Sequence, residues 1–218
     1  MRMTWKRAGA LILLLAGAAA AIVGGPDAAD RLEWAGPELE GEILSRAYHI
    51  DPGELLDLMW NNQLRLALLD VRDESDFNLF HLIDARHFEF TREDLDWSEG
   101  LPDETVRVVM SNDETRANEA WKRLRVLDVP NVYILDGGIN QWLSLCRPHK
   151  PGAPRPPHIL RSDAGTLGDE ELKYTFPAAL GDRYPEARPP EFCFSDRSYT
   201  PKVKVLKPVE VPGGGCGG

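Results

Sequence analysis

Six consecutive residues carry the most suggestive chemistry in this chain: Ser111, Asn112, Asp113, Glu114, Thr115 and Arg116. They separate the apolar run Val106 to Met110 from a stretch of helical periodicity, Thr115 to Leu127. A strand that passes through a tight loop into a helix gathers backbone N–H groups at one point, and such a cradle favours an anion. Arg116 adds a positive charge where the loop closes, and Ser111 places a hydroxyl where it opens. A serine hydroxyl is a poor nucleophile near neutral pH unless a base stands beside it. Asp113 and Glu114 put two carboxylates on the same loop, which weakens its pull on anions.

Asp70 and Arg72 stand at the end of another apolar run, Leu66 to Val71, and read as a structural charge network. His81 reads as a turn-supporting hydrogen-bonding residue rather than a base. His49 and His87 lack ligand spacing, so no metal site is expected, and no cofactor is called for. The cysteines are Cys146, Cys193 and Cys216. In an oxidising compartment Cys146 and Cys193 could pair, leaving Cys216 on its glycine-rich tail as a possible redox thiol.

The elements that must position these groups can be read in order. Asp51-Pro52-Gly53-Glu54 opens a helix: Asp51 caps, Pro52 takes the first position, and Glu54 is placed to reach back as in a capping box. Leu55, Leu56, Leu58 and Met59 supply its apolar face. Strands are expected at Leu66 to Val71, Ala85 to Phe90, Val106 to Met110 and Asn131 to Leu135. Between them lie a Thr91-capped helix and the Thr115 to Leu127 helix, which carries Ala117, Ala120, Trp121 and Leu124 on one face. Gly137-Gly138 turns into a final helix with Ile139, Trp142 and Leu143. Strands alternating with helices imply a parallel sheet covered on both faces.

Three segments, in this order, resemble the rhodanese-like (sulfurtransferase) domain. The first is Leu69-Asp70-Val71-Arg72 with Asp76-Phe77, His81 and Ala85; the second is the Ser111 to Arg116 loop; the third is Val132 to Ile139 ending at Trp142. The third is similar to the family's Leu-x-Gly-Gly-x-x-x-Trp. The resemblance implies an α/β, three-layer domain with a central, mostly parallel sheet flanked by helices. It also implies that a cysteine belongs at the loop's first position, where it would hold a persulfide stabilised by the N–H cradle. Ser111 occupies that position, and an alcohol cannot store a sulfane sulfur. Phe80 replaces a glycine of the family pattern and Ile83-Asp84 replace Pro-Gly, changes expected to alter a turn and to set a bulky ring near the loop.

Around this domain the organisation is as follows. Residues 1–26 read as a signal peptide or membrane anchor, with Arg2, Lys6 and Arg7 ahead of an uncharged stretch from Ala8 to Pro26. Positive charges there place the remainder on the extracytoplasmic side, anchored if uncleaved and periplasmic or secreted if cleaved. Residues 27–46 read as a polar spacer with some helical character, 47–146 as the rhodanese-like domain, and 147–212 as an irregular arm holding twelve of the seventeen prolines. Val203, Val205, Val209 and Val211 alternate there and could add an edge strand. Residues 213–218 form a Gly/Cys tail.

The chain has 218 residues, 43% hydrophobic and 28% charged, as a globular domain requires. A formal net charge of -10 argues against nucleic acid as a partner. Three functional readings follow. The first is a non-catalytic binding or regulatory module with an unidentified protein partner, touching the membrane only through its N-terminal segment. The second is a sulfur-transfer or thiol-redox protein using Cys216, with the 111–116 loop as an anion dock. The third is a Ser111-dependent hydrolase, which the local acidity disfavours.

Overall fold

The computed structural model describes residues 27–145, 185–190 and 197–204. The expected N-terminal segment, the three cysteines, Val205, Val209, Val211 and the Gly/Cys tail lie outside the described residues. Among the described residues no helix is long and apolar enough to cross a membrane.

In chain order the elements are α1 (Ala28–Leu44), β1 (His49–Ile50), α2 (Pro52–Trp60), β2 (Leu66–Asp70), α3 (Glu74–Leu79), β3 (Ala85–His87), α4 (Arg92–Glu99), β4 (Val106–Met110), α5 (Thr115–Val126), β5 (Val132–Leu135) and α6 (Gly138–Leu145). The five strands form one sheet in the order β1-β5-β4-β2-β3. Every pairing is parallel, and β4 lies at the centre with Leu68 opposite Val108 and Val109 opposite Ile134.

Strand side chains alternate between faces, so one sheet builds two cores. Leu68, Val108, Met110 and Leu135 pack with Leu55, Leu56, Phe80 and Trp142 on one side. Leu69, Val109 and Ile134 pack with Trp121, Leu124, Leu39 and Ile43 on the other. Burial of both faces explains why the strands read as near-continuous apolar runs.

Leu39 and Ile43 belong to α1, so the stretch expected to be a spacer is a helix of 17 residues built into the second core. Its Asp27–Asp30 capping box starts the helix. Leu32, Ala35, Leu39 and Ile43 recur at helical spacing among carboxylates that disguise the pattern. Lys122 of α5 ties it down through Glu40 at 2.7 Å.

Further differences concern strand ends and the arm. The second expected strand stops at His87, because Phe90 takes a left-handed backbone with φ 60°. Val203 lies in irregular chain rather than in a strand. Glu54 does not close a capping box on α2: it is buried, and its Oε1 accepts the backbone N–H groups of Lys202 (2.7 Å) and Val203 (2.8 Å). The arm is thus partly domain structure. Trp142 Nε1 donates to Glu186 O at 2.8 Å, Ile83 N to Ala187 O at 3.0 Å, and Trp60 Nε1 to Pro189 O at 3.0 Å.

Candidate functional site

The loop after β4 runs directly into α5, as expected, and two of its own side-chain oxygens take N–H groups at the helix start. Ser111 is fully buried, and its Oγ accepts the N–H of Ala117 at 3.0 Å while its hydroxyl faces Asp113 O at 3.4 Å. Asp113 Oδ1 accepts the N–H of Thr115 at 2.7 Å. Two of the first N–H groups of α5, which a helix start leaves without intrahelical partners, are therefore taken by side-chain oxygens of the loop. Among the described residues the Ser111 hydroxyl meets the Ala117 N–H and Asp113 O, neither of which can act as the general base that a serine nucleophile needs.

Gly137 and Gly138 hold the loop from behind. Both have left-handed backbones, φ 67° and 63°. Ile139 N donates to Ser111 O at 2.9 Å and Asn140 N to Asn112 O at 3.0 Å. A Cβ on Gly138 would strike Asp113 O and lie 2.5 Å from Ser111 O and 2.8 Å from Asn112 O. Close approach of two backbones, as well as turn geometry, demands glycine there.

Two charges of the loop, Arg116 and Glu114, are held in ion pairs. Arg116 forms a two-pronged ion pair with Asp73, at 2.6 and 3.1 Å. Asp73 precedes α3 without capping it, its carboxylate being committed to Arg116. Glu114 is gripped by Arg46 at 2.5 and 2.8 Å and accepts the Gly137 N–H at 2.5 Å. Arg46 also pairs with Asp136. Burial pushes the Glu114 carboxyl up, but the Arg46 guanidinium and the Gly137 N–H outweigh it and hold it down at about 2. Asp136 goes the other way: burial raises it, Arg46 opposes, and the neighbouring Glu114 carboxylate raises it further. Burial together with the positive charge of Arg46 keeps His49 below its ordinary range; Nε2 of that ring meets Asn118 Oδ1 at 3.2 Å.

Asp70 and Arg72 form a fully buried ion pair, with Nη2 2.7 Å from Oδ2 and Nε 2.9 Å from Oδ1. Arg72 Nη2 also donates to Phe80 O at 2.5 Å, and Nη1 reaches Asn112 Oδ1 at 3.4 Å. Asn112 in turn donates to Asp76 at 2.6 Å. The first motif thus braces the loop from beneath. Loss of one partner of such a pair leaves a buried charge, at a cost of about 3–5 kcal/mol.

His81 Nδ1 donates to Phe77 O at 2.8 Å, and the two rings stack at 4.1 Å. The departures from the family pattern have milder consequences than expected. The Phe80 ring is buried in the first core. Asp84, with φ 62°, adopts the left-handed conformation that a glycine would supply.

Sequence reasoning assigned no role to Arg46, Asp73 or Asp136. Each lies far in sequence from the loop whose charge network it joins, and a lone charge on a turn carries no periodic signal. Among the described residues no group of three or more histidine, cysteine and carboxylate side chains is placed to hold a metal ion.

Fold and loop together define a doubly covered parallel α/β domain whose central strand feeds an N–H cradle at a helix start. The sequence profile of the rhodanese-like domain matches residues 51–145, so the chain carries a rhodanese-like domain there. No curated protein and no solved structure matches the chain.

Proposed function

We propose that this rhodanese-like domain transfers no sulfur and serves as a binding or regulatory module, exported or membrane-anchored through residues 1–26. One observation carries the reading: Ser111, at the position where the family motif has its cysteine, spends its oxygen on the Ala117 N–H. The acceptor that caps α5 is a neutral alcohol. A persulfide would need a thiolate in that place, free to leave the cap when sulfur arrives. Asp113 and Glu114 supply the negative charge a substrate anion would bring. Held by these contacts, the loop offers its outer rim as a surface for a protein partner, and Thr115 is exposed on it. The acidic chain and the basic N-terminal start support an extracytoplasmic setting with no nucleic-acid role.

The test is affinity capture from the native membrane fraction with the full-length chain and with its Thr115→Arg variant. Saturable capture of one protein, weakened by Thr115→Arg, supports the reading. Absence of saturable capture, or capture indifferent to the charge placed at Thr115, overturns it.

A further inference from the structure

Beside the loop, on the flank of α5, lies a cleft of about 350 Å³. Its floor is apolar, built from Val71, Phe88, Phe90 and Ala120, and Ser111 does not line it. This volume lies within the range of small-ligand and side-chain pockets.

Phe90 is the unusual wall. A left-handed backbone is disfavoured for an aromatic residue, and here the surroundings enforce it. Asp94 Oδ2 accepts the N–H groups of both neighbours, Glu89 at 3.0 Å and Thr91 at 3.3 Å, pinching the chain on either side of Phe90. Arg86 and the Thr91 hydroxyl hold that carboxylate in turn. Phe88 meets the Phe90 ring edge-on at 4.9 Å. The ring is thus presented in one orientation, and the guanidinium of Arg123 lies over its face at 3.9 Å.

Arg123 differs from the arginines around it. Arg31, Arg46, Arg65, Arg72, Arg86, Arg92, Arg116, Arg125 and Arg197 all reach carboxylates. Arg123 is exposed, and among the described residues its guanidinium rests on the Phe90 ring. A guanidinium held over a ring keeps its N–H donors, and with Arg123 exposed they are within reach of a bidentate carboxylate. Within the cleft Arg72 and Arg116 are neutralised by Asp70 and Asp73, and Glu119 pairs with Lys122 at 2.8 Å. Glu89, also on the rim, opposes an anionic guest.

Resting on the binding-module reading, we infer that this cleft is a peptide-docking site. It takes one apolar side chain on the Phe88, Phe90 and Ala120 floor and an adjacent carboxylate on Arg123. The partner is therefore a protein segment in which an acidic residue stands next to a large apolar one. A ring-held cation beside an apolar floor matches that chemistry, whereas a small inorganic anion would leave the floor uncovered.

The experiment is fluorescence anisotropy of the full-length chain with labelled pentapeptides Ser-Xaa-Glu-Xaa-Ser, where Xaa is Leu, Val or Phe. At least one should bind saturably, with affinity lowered about tenfold by Arg123→Gln, as for loss of a charge-assisted pair. Glu89→Gln should tighten binding, and replacing the peptide's Glu by Gln should weaken it. Absence of saturable binding by all three peptides, or binding equal in Arg123→Gln and wild type, overturns the site. Capture of the same membrane-fraction protein by wild type and by Arg123→Gln would remove this site while leaving the binding module standing.

Discussion

Ser111→Ala isolates the oxygen on which the functional reading rests. The variant removes one buried acceptor and leaves the Ala117 N–H, 3.0 Å away, with nothing to replace it. The contact to Asp113 O at 3.4 Å is at the limit of a hydrogen bond and adds little. Leaving a buried donor unsatisfied costs about 1–3 kcal/mol. The lost atom is small, so cavity terms are minor, and we expect about 1–2 kcal/mol. For a domain of this size each kcal/mol lowers Tm by roughly 4 °C. The assay is urea unfolding of the purified full-length chain, followed by tryptophan fluorescence, since Trp121 and Trp142 lie one in each core. Ser111→Cys is the informative companion. Sulfur is a weak acceptor, and the site is closed to solvent, so the new thiol should be stable against alkylation and show no reactive thiolate at low pH. A stability change within about 0.5 kcal/mol for Ser111→Ala, the range of ordinary surface changes, would refute the reasoning. So would rapid low-pH alkylation of the Ser111→Cys variant.

Other perturbations have equally definite outcomes. Glu114 is held below its ordinary value, so the stability it contributes is fully present above about pH 4.5 and fades as pH falls toward 2. The shift corresponds to at most about 3 kcal/mol, and less after screening, because Arg46 is 43% exposed; Glu114→Gln should flatten the acid limb of the stability–pH profile. Gly138→Ala should cost more than Ser111→Ala, about 3 kcal/mol or more, because its Cβ meets three loop carbonyls; a crystal structure of the variant should show residues 111–113 displaced. Removing residues 185–218 withdraws the N–H donors from buried Glu54 and uncovers Trp60 and Trp142, so the midpoint of urea unfolding should fall and tryptophan emission should shift to the red. An unchanged midpoint would show that the arm is dispensable.

Four of the five strands were legible because buried parallel strands announce themselves as short apolar runs, whereas β1, His49–Ile50, is too short to show a pattern; α2 and α4 were legible because Asp51, Pro52 and Thr91 mark their starts. The loop was legible from its place between strand and helix. What escaped were relations between distant residues. Nothing in the local sequence shows that Arg46 reaches Glu114 or that Asp73 reaches Arg116, since ion pairs leave no period. Glu54 illustrates the same limit: its position fits a capping box, yet two N–H groups of the arm, nearly 150 residues away, make the better offer in a buried place. The helical character of α1 was visible, but its place in the core was not, because its apolar stripe is thin and its exposed positions include Glu33, Glu38 and Glu40. Phe90 was read as strand because aromatic residues favour strands, and only the Asp94 clamp bends it away.

The account's central claim is that the cradle at Ser111 holds no transferable sulfur. Its most direct test is to expose the full-length chain to thiosulfate, record its intact mass, then add cyanide and measure thiocyanate. The account predicts an unmodified mass and thiocyanate formation no faster than with Ser111→Ala. A sulfur atom added at Cys216, or turnover above the Ser111→Ala control, would contradict it.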